Sequence, residues 1–192
     1  MGIVILAAGS SSRLGNPKQI LPYRNKNLLQ HSIEAAVCCE ANTVIVVLGA
    51  HAELIAKNIE KTRAQIIETK EWKEGMAASI RKGLDTLLSI SPDTDAVIFM
   101  VCDQPYVSGA LLNEIINIHK KTGKPIIASD YGETTGPPVL FHRSLFGELA
   151  QLKGDTGARK IIIQHSGKAA TVPFANGKTD IDTTEDYLAL KN

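Results

Sequence analysis

Short apolar runs rich in β-branched residues recur at residues 3–6, 43–48, 64–68, 96–101 and 125–128, and stretches with helical spacing separate them at 28–38, 52–57, 76–88 and 109–121. In the last stretch Leu111, Leu112, Ile115, Ile116 and His119 fall near one face. Runs this apolar belong to strands buried on both sides, and strand–helix alternation builds parallel sheets. With right-handed crossovers the expected fold is α/β, a Rossmann-like three-layer α/β/α sandwich with a mostly parallel sheet. The rhythm changes after about Ser129. There residues 131–138 are turn-rich, 139–141 read as a short strand and 145–152 as a helix. Asp155 is expected to cap a helix running to His165, residues 169–173 are extended, and 182–190 read as a helix opening at Thr183 with Asp186 three residues on. No repeat, linker or low-complexity stretch interrupts the pattern, so residues 1–192 are expected to form one domain.

Composition narrows the function classes. Hydrophobic content of 44% and charged content of 21% are ordinary for a soluble globular chain. A net charge of +1 supplies no global field for nucleic acid or an anionic membrane, so neither is expected as a partner. Cys38, Cys39 and Cys102 show neither zinc-ligand spacing nor a disulfide framework, which suits reduced thiols in the cytoplasm. The first apolar run is too short to span a bilayer and lacks the flanks of a secretory signal. Cytoplasmic location is the expectation.

The chemistry concentrates in GIVILAAGSSSRLGNPK, residues 2–18. A short strand gives way to small residues, which let the backbone approach a ligand with its N–H groups toward phosphate oxygens. Arg13 can fork onto one phosphate and Lys18 can set a point charge beside another. Gly15 is followed by Asn16 and Pro17, so this is no Walker loop, and the G-x-G-x-x-G of dinucleotide sites is absent.

Four further segments carry candidate groups. Asp103 ends the 96–101 run beside Gln104 and Pro105, where it can ligate magnesium or merely support the turn. In Asp180-Ile181-Asp182 the two acids share a face if the segment is extended, but Asp182 also suits a helix cap. Gly75 precedes the helix opening Met76-Ala77-Ala78-Ser79, whose N–H groups are expected to be free and whose Ser79 can reach a base or sugar. In LKGDTGARK, residues 152–160, Arg159 can clamp an anionic acceptor or pair with Asp155. The five histidines form no metal spacing, and His142, after Phe141, is the one to follow.

In order and spacing, LAAG, GMAASIRKGL, CDQP, GPPVLF, LKGDTGAR and DIDTTED resemble the MobA-like nucleotidyltransferases, and within them the molybdenum cofactor cytidylyltransferases of the MocA type. The resemblance implies a Mg2+-dependent enzyme that moves CMP from CTP onto the phosphate of molybdenum-loaded molybdopterin, releasing pyrophosphate. Its product would serve xanthine-dehydrogenase-type enzymes, so a molybdenum hydroxylase apoenzyme is an implied partner. It implies that Leu6, Ala7, Ala8 and Gly9 contact the nucleotide together with Ser79. Arg13 and Lys18 would hold phosphates, Asp103 and Asp182 would bind magnesium, and the 154–159 segment would face the pterin. Lys18, Arg13 and Asp103 are the implied catalytic set. Two positions depart from the family pattern: Thr184 stands in place of proline after Asp-Thr, and Pro137 in place of a frequent histidine.

Three alternatives stay open. The PKQ stretch at residues 17–19 also resembles cytidylyltransferases acting on methylerythritol phosphate, although GDTGAR and DIDTTED fit them poorly. A guanylyltransferase usually carries glycine where Ala8 stands. A non-catalytic carrier or chaperone of the molybdenum cofactor would use the same pocket without turnover.

Overall fold

A computed structural model of the chain describes residues 1–155 and 157–191. The strands are β1 (Gly2–Ala7), β2 (Pro22–Tyr23), β3 (Lys26–Asn27), β4 (Thr43–Leu48), β5 (Gln65–Glu68), β6 (Ala96–Val101), β7 (Ile126–Asp130), β8 (Thr135–His142) and β9 (Ala169–Pro173). The helices are α1 (Leu28–Val37), α2 (Ala52–Lys57), α3 (Met76–Ile90), α4 (Gly109–Thr122), α5 (Phe146–Ala150), α6 (Arg159–Gln164) and α7 (Thr184–Lys191). Seven strands form one sheet in the order β5-β4-β1-β6-β8-β7-β9, and β2 and β3 make a small separate ribbon. The fold is the expected mostly parallel α/β type, with β8 antiparallel to both its neighbours.

The alternation of the strand residues explains the two cores. Along β1, Ile3, Ile5 and Ala7 face one side and join Leu29 and Ile33 of α1 and Leu112 and Ile115 of α4. Val4 faces the other side with Ile80, Leu84 and Leu87 of α3 and Phe99 and Phe141 of the neighbouring strands. Both sets are buried because β1 lies between β4 and β6, in the middle of the sheet.

The turn-rich reading of residues 131–138 needs correction. Tyr131 donates its N–H to Thr134 O at 2.9 Å and Gly132 takes φ +98°, so the turn is confined to residues 131–134. So tight a connection cannot cross over, which forces β8 antiparallel to β7. β8 then runs to His142, well beyond the expected 139–141. Its register shifts between Ala128 and Ser129, pairing Ala128 with Val139 and Ser129 with Gly136, so Pro137 and Pro138 fall in the irregularity. Prolines are tolerated there because no ladder N–H is required of them.

Two other expectations fail locally. Asp155 does not cap α6, which opens at Arg159 after Ala158 with no side-chain cap. Asp182 does not cap α7 either. Thr183 Oγ1 accepts the Asp186 N–H at 3.2 Å, while the Asp186 carboxylate accepts the N–H groups of Thr183 at 2.8 Å and Asp182 at 3.1 Å. This reciprocal cap leaves the Asp182 side chain available for another task.

Candidate active site

The site lies beyond the carboxyl ends of β1 and β6, where open parallel sheets place their ligands. The C-terminal segment is drawn there by a backbone bond, Ile181 N–H to Asp103 O at 3.0 Å. Ile181 is fully buried with Tyr23 and Leu28, which turns Asp180 and Asp182 to the opposite, cavity side.

The charged centre is assembled from three distant stretches. Lys18 Nζ donates to Asp103 Oδ2 at 2.5 Å and to Asp182 Oδ1 at 2.7 Å. Arg13 Nη2 donates to Asp182 Oδ2 at 2.7 Å. Asp103 and Asp182, 79 residues apart by their numbering, therefore face each other across one ammonium. Burial by itself would lower the Lys18 pKa, but the Asp103 charge and the hydrogen bonds to both acids outweigh it and hold the ammonium above its ordinary range. Burial would likewise raise Asp182, and Lys18 with Arg13 more than reverses that, keeping its carboxyl ionised. The protein packed around Asp180, then the charges of Asp103 and Asp182, push its carboxyl up to about 6, although the residue as a whole is exposed to solvent.

A divalent cation fits this donor set. The remaining Asp103 oxygen, Oδ1, is buried without a hydrogen-bond partner, and hard carboxylate oxygens from two segments converge where Lys18 supplies a positive charge. Two carboxylates are enough for an ion that keeps several of its waters.

Two cavities meet at this centre. One, of about 350 Å³, is lined by the 6–10 loop, Gln19, Trp72, Met76 and Ser79. The other, of about 530 Å³, reaches Phe99, Phe141, Tyr131, Thr134 and Arg159. Leu6, Lys18, Met76, Val101, Asp103 and Asp155 border both. All the residues expected to contact nucleotide thus line the smaller cavity except Arg13, which stands 67% exposed and pairs with Asp182, a residue lining the larger cavity. Arg159 borders the larger cavity, with Nη2 at 3.5 Å from Thr134 Oγ1, and among the described residues it forms no ion pair with Asp155. Thr156 of the 154–159 segment lies outside the described residues.

The N–H groups at the start of α3 are not all free. Ala77 donates to Gly154 O at 3.1 Å and Ala78 to Gly75 O at 3.2 Å. Glycine at residue 75 is required by that contact, because φ is +99° and a Cβ would sit 2.2 Å from Asp155 Oδ1. His142 lies away from the site, paired with Ala96 at the opposite end of β6. The sequence did not single out Trp72 or Tyr131, and it used Gln19 only as part of PKQ. Trp72 packs where a Cβ on Gly49 would come within 2.6 Å of it, and Tyr131 accepts from Gln104 Nε2 at 2.9 Å.

Comparison with known proteins shows the family of the chain. Residues 3–169 match the family described as MobA-like NTP transferase domain. Nicotine blue oxidoreductase of Paenarthrobacter nicotinovorans is 26% identical over 97% of this chain and 94% of its own length. Purine catabolism protein PucB of Bacillus subtilis is 29% identical over 96% and 92%. Molybdenum cofactor cytidylyltransferase of Escherichia coli is 21% identical over 98% and 94%. Among solved structures, Rv0371c of Mycobacterium tuberculosis superposes with a TM-score of 0.85 at 33% identity, covering 99% of this chain and 96% of that one. A complex of Rv0371c with manganese superposes with a TM-score of 0.81 at 29% identity, covering 99% and 97%.

Proposed function

From the premise that the chain belongs to the MobA-like NTP transferase domain family, we propose that it transfers CMP from CTP to the phosphate of a molybdenum-loaded molybdopterin, with release of pyrophosphate. The observation that carries this reading is the meeting of two cavities at Lys18 and Asp103. A transfer reaction needs two substrates held with their reacting atoms adjacent, and the shared border supplies that arrangement.

The smaller cavity takes the triphosphate. The 6–10 loop offers backbone N–H groups, Arg13 and Lys18 carry the charge that phosphates need, and Ser79 sits within the pocket wall. Asp103 and Asp182 would hold Mg2+, which when bound screens the charge of the triphosphate and steadies the departing pyrophosphate. A related structure described as a complex with manganese supports the use of a divalent ion. As phosphate oxygens arrive, Lys18 is positioned to exchange its acids for the phosphoryl group, where negative charge builds during transfer. The larger cavity combines apolar walls with Arg159 and Thr134 at its rim, which suits a ring system carrying an anionic end.

CTP is favoured over GTP by the crowding at Ala8. Ala8 lines the smaller cavity at the position where guanylyltransferases usually carry glycine, and its methyl takes space that a purine would need. The similarity to a molybdenum cofactor cytidylyltransferase supports the same choice. Its product would go to a molybdenum hydroxylase of the xanthine dehydrogenase type, with the apoenzyme as partner. The test is pyrophosphate release with each of the four nucleoside triphosphates, loaded molybdopterin and Mg2+ or Mn2+. CTP should give the highest kcat/KM. Preference for GTP would assign the guanylyl branch. Tight acceptor binding without pyrophosphate from any triphosphate would make the protein a carrier, and reduction of nicotine blue would instead favour the chemistry named for that relative.

A further inference from the structure

Gln19 is a buried polar residue at the nucleotide loop that the reaction does not account for. It is wholly inaccessible in the short turn Lys18–Ile20. Its Nε2 donates to Ala7 O at 2.8 Å and to Gly9 O at 3.0 Å, so one amide group grips two carbonyls of the loop that follows β1. Its Oε1 lies 3.4 Å from the Ser11 hydroxyl, which donates to it. Ser11 Oγ in turn accepts the Lys18 N–H at 2.9 Å. Ser11 takes φ +53°, an unfavourable value for a residue with a Cβ, and these contacts hold it there.

We propose that Gln19 is a positioning residue: its amide turns the carbonyls of Ala7 and Gly9 inward, leaves the loop N–H groups facing the triphosphate, and sets the point from which Lys18 departs. The inference rests on the nucleotide reading of the smaller cavity and deepens it. In a planar trans peptide the C=O and the following N–H point in opposite directions. Anchoring Ala7 O and Gly9 O on Gln19 therefore directs the N–H groups of Ala8 and Ser10 away from it. Among the described residues, no carbonyl or side chain outside the strand ladders takes the N–H of Ala8, Gly9 or Ser10. Without the anchor, either carbonyl can rotate toward the cavity, where its partial negative charge would repel phosphate. The link through Ser11 ties the same device to Lys18, so phosphate donors and the catalytic cation keep a fixed relation.

Gln19→Met keeps the length and loses the amide, and Ser11→Ala removes the linking hydroxyl without altering a fully buried position. If the anchor positions the loop, folded Gln19→Met raises the KM for CTP at least about 10-fold while the KM for the acceptor stays within about twofold, a split that lost stability alone does not produce. Ser11→Ala should raise the KM for CTP about threefold, a smaller change in the same direction. An unchanged KM for CTP in folded Gln19→Met, or in Ser11→Ala should the first variant not fold, overturns the proposal. The 15N heteronuclear NOE of Ala8, Gly9 and Ser10 without ligand separates this failure from failure of the nucleotide reading. If the wild type uses no triphosphate, a drop in those values in either variant still supports the anchor, and unchanged values refute it.

Discussion

Replacing Lys18 by methionine removes one ammonium, keeps the apolar stem, and leaves Asp103 facing Asp182 with only the exposed Arg13, paired to Asp182, as counter-charge. Losing one partner of a buried ion pair costs about 3–5 kcal/mol. Here the side chains of Lys18 and Asp103 are 13% and 16% exposed and that of Asp182 is 37% exposed, so solvent screens part of the repulsion. A discounted cost of about 1–2 kcal/mol follows. For a chain of this size that corresponds to a fall in Tm of about 2–8 °C. The fall should appear in EDTA and shrink in saturating Mg2+, because a divalent ion replaces the missing charge and binds the folded state alone. The Mg2+-induced rise in Tm should therefore be larger in Lys18→Met than in the wild type. Differential scanning calorimetry in EDTA and in Mg2+ measures both terms, and kcat should fall about 100- to 1,000-fold. A variant that melts like the wild type in EDTA, with an equal response to Mg2+, would refute the reasoning that Lys18 neutralises a two-carboxylate cation site.

Other substitutions separate the roles of neighbouring residues. Arg13→Ala should change stability by less than about 1 kcal/mol, since its pair with Asp182 is solvent-exposed, yet raise the KM for the triphosphate; thermal melts and steady-state kinetics report each. Gly49→Ala places a Cβ 2.6 Å from Trp72 Cβ and 2.8 Å from Ala8, so it should cost about 1–3 kcal/mol by urea denaturation and weaken CTP binding as the pocket wall shifts. Gly83→Ala, on the buried face of α3, gains about 1 kcal/mol of helix propensity. Its Cβ nevertheless meets Val4 Cγ1 at 2.4 Å, and the net result should be a lower Tm with an unchanged KM for CTP.

The central strands are legible because their runs are apolar on both faces, so local pattern and tertiary burial say the same thing. β4 and β6 match their sequence boundaries for this reason. β8 is less legible: Gly136, Pro137 and Pro138 are turn formers in a local reading, and only pairing with β7 and β6 makes the segment a strand. The expected cap at Asp155 fails because the residue instead packs against Gly75. Arg13, Lys18, Asp103 and Asp182 were visible as candidates through residue type and position. Their joint geometry was not, since Lys18 and Asp182 meet only through the bond that carries Ile181 to Asp103. Gln19 left the weakest signal. A glutamine in a turn reads as exposed, and its burial follows from β1 and the Lys18–Ile20 turn closing on the same loop.

In the proposed reaction a nucleoside monophosphate passes from one cavity to the other at Lys18 and Asp103. CTP labelled with 32P at the α position, or separately at the γ position, follows that bond directly when incubated with the protein, Mg2+ and molybdenum-loaded molybdopterin. The α label should appear in the molybdopterin product, the γ label should leave in pyrophosphate, and both should fall together in Lys18→Met. Label from the γ position on the acceptor, or no label on it while the acceptor is tightly bound, would contradict nucleotidyl transfer at this site.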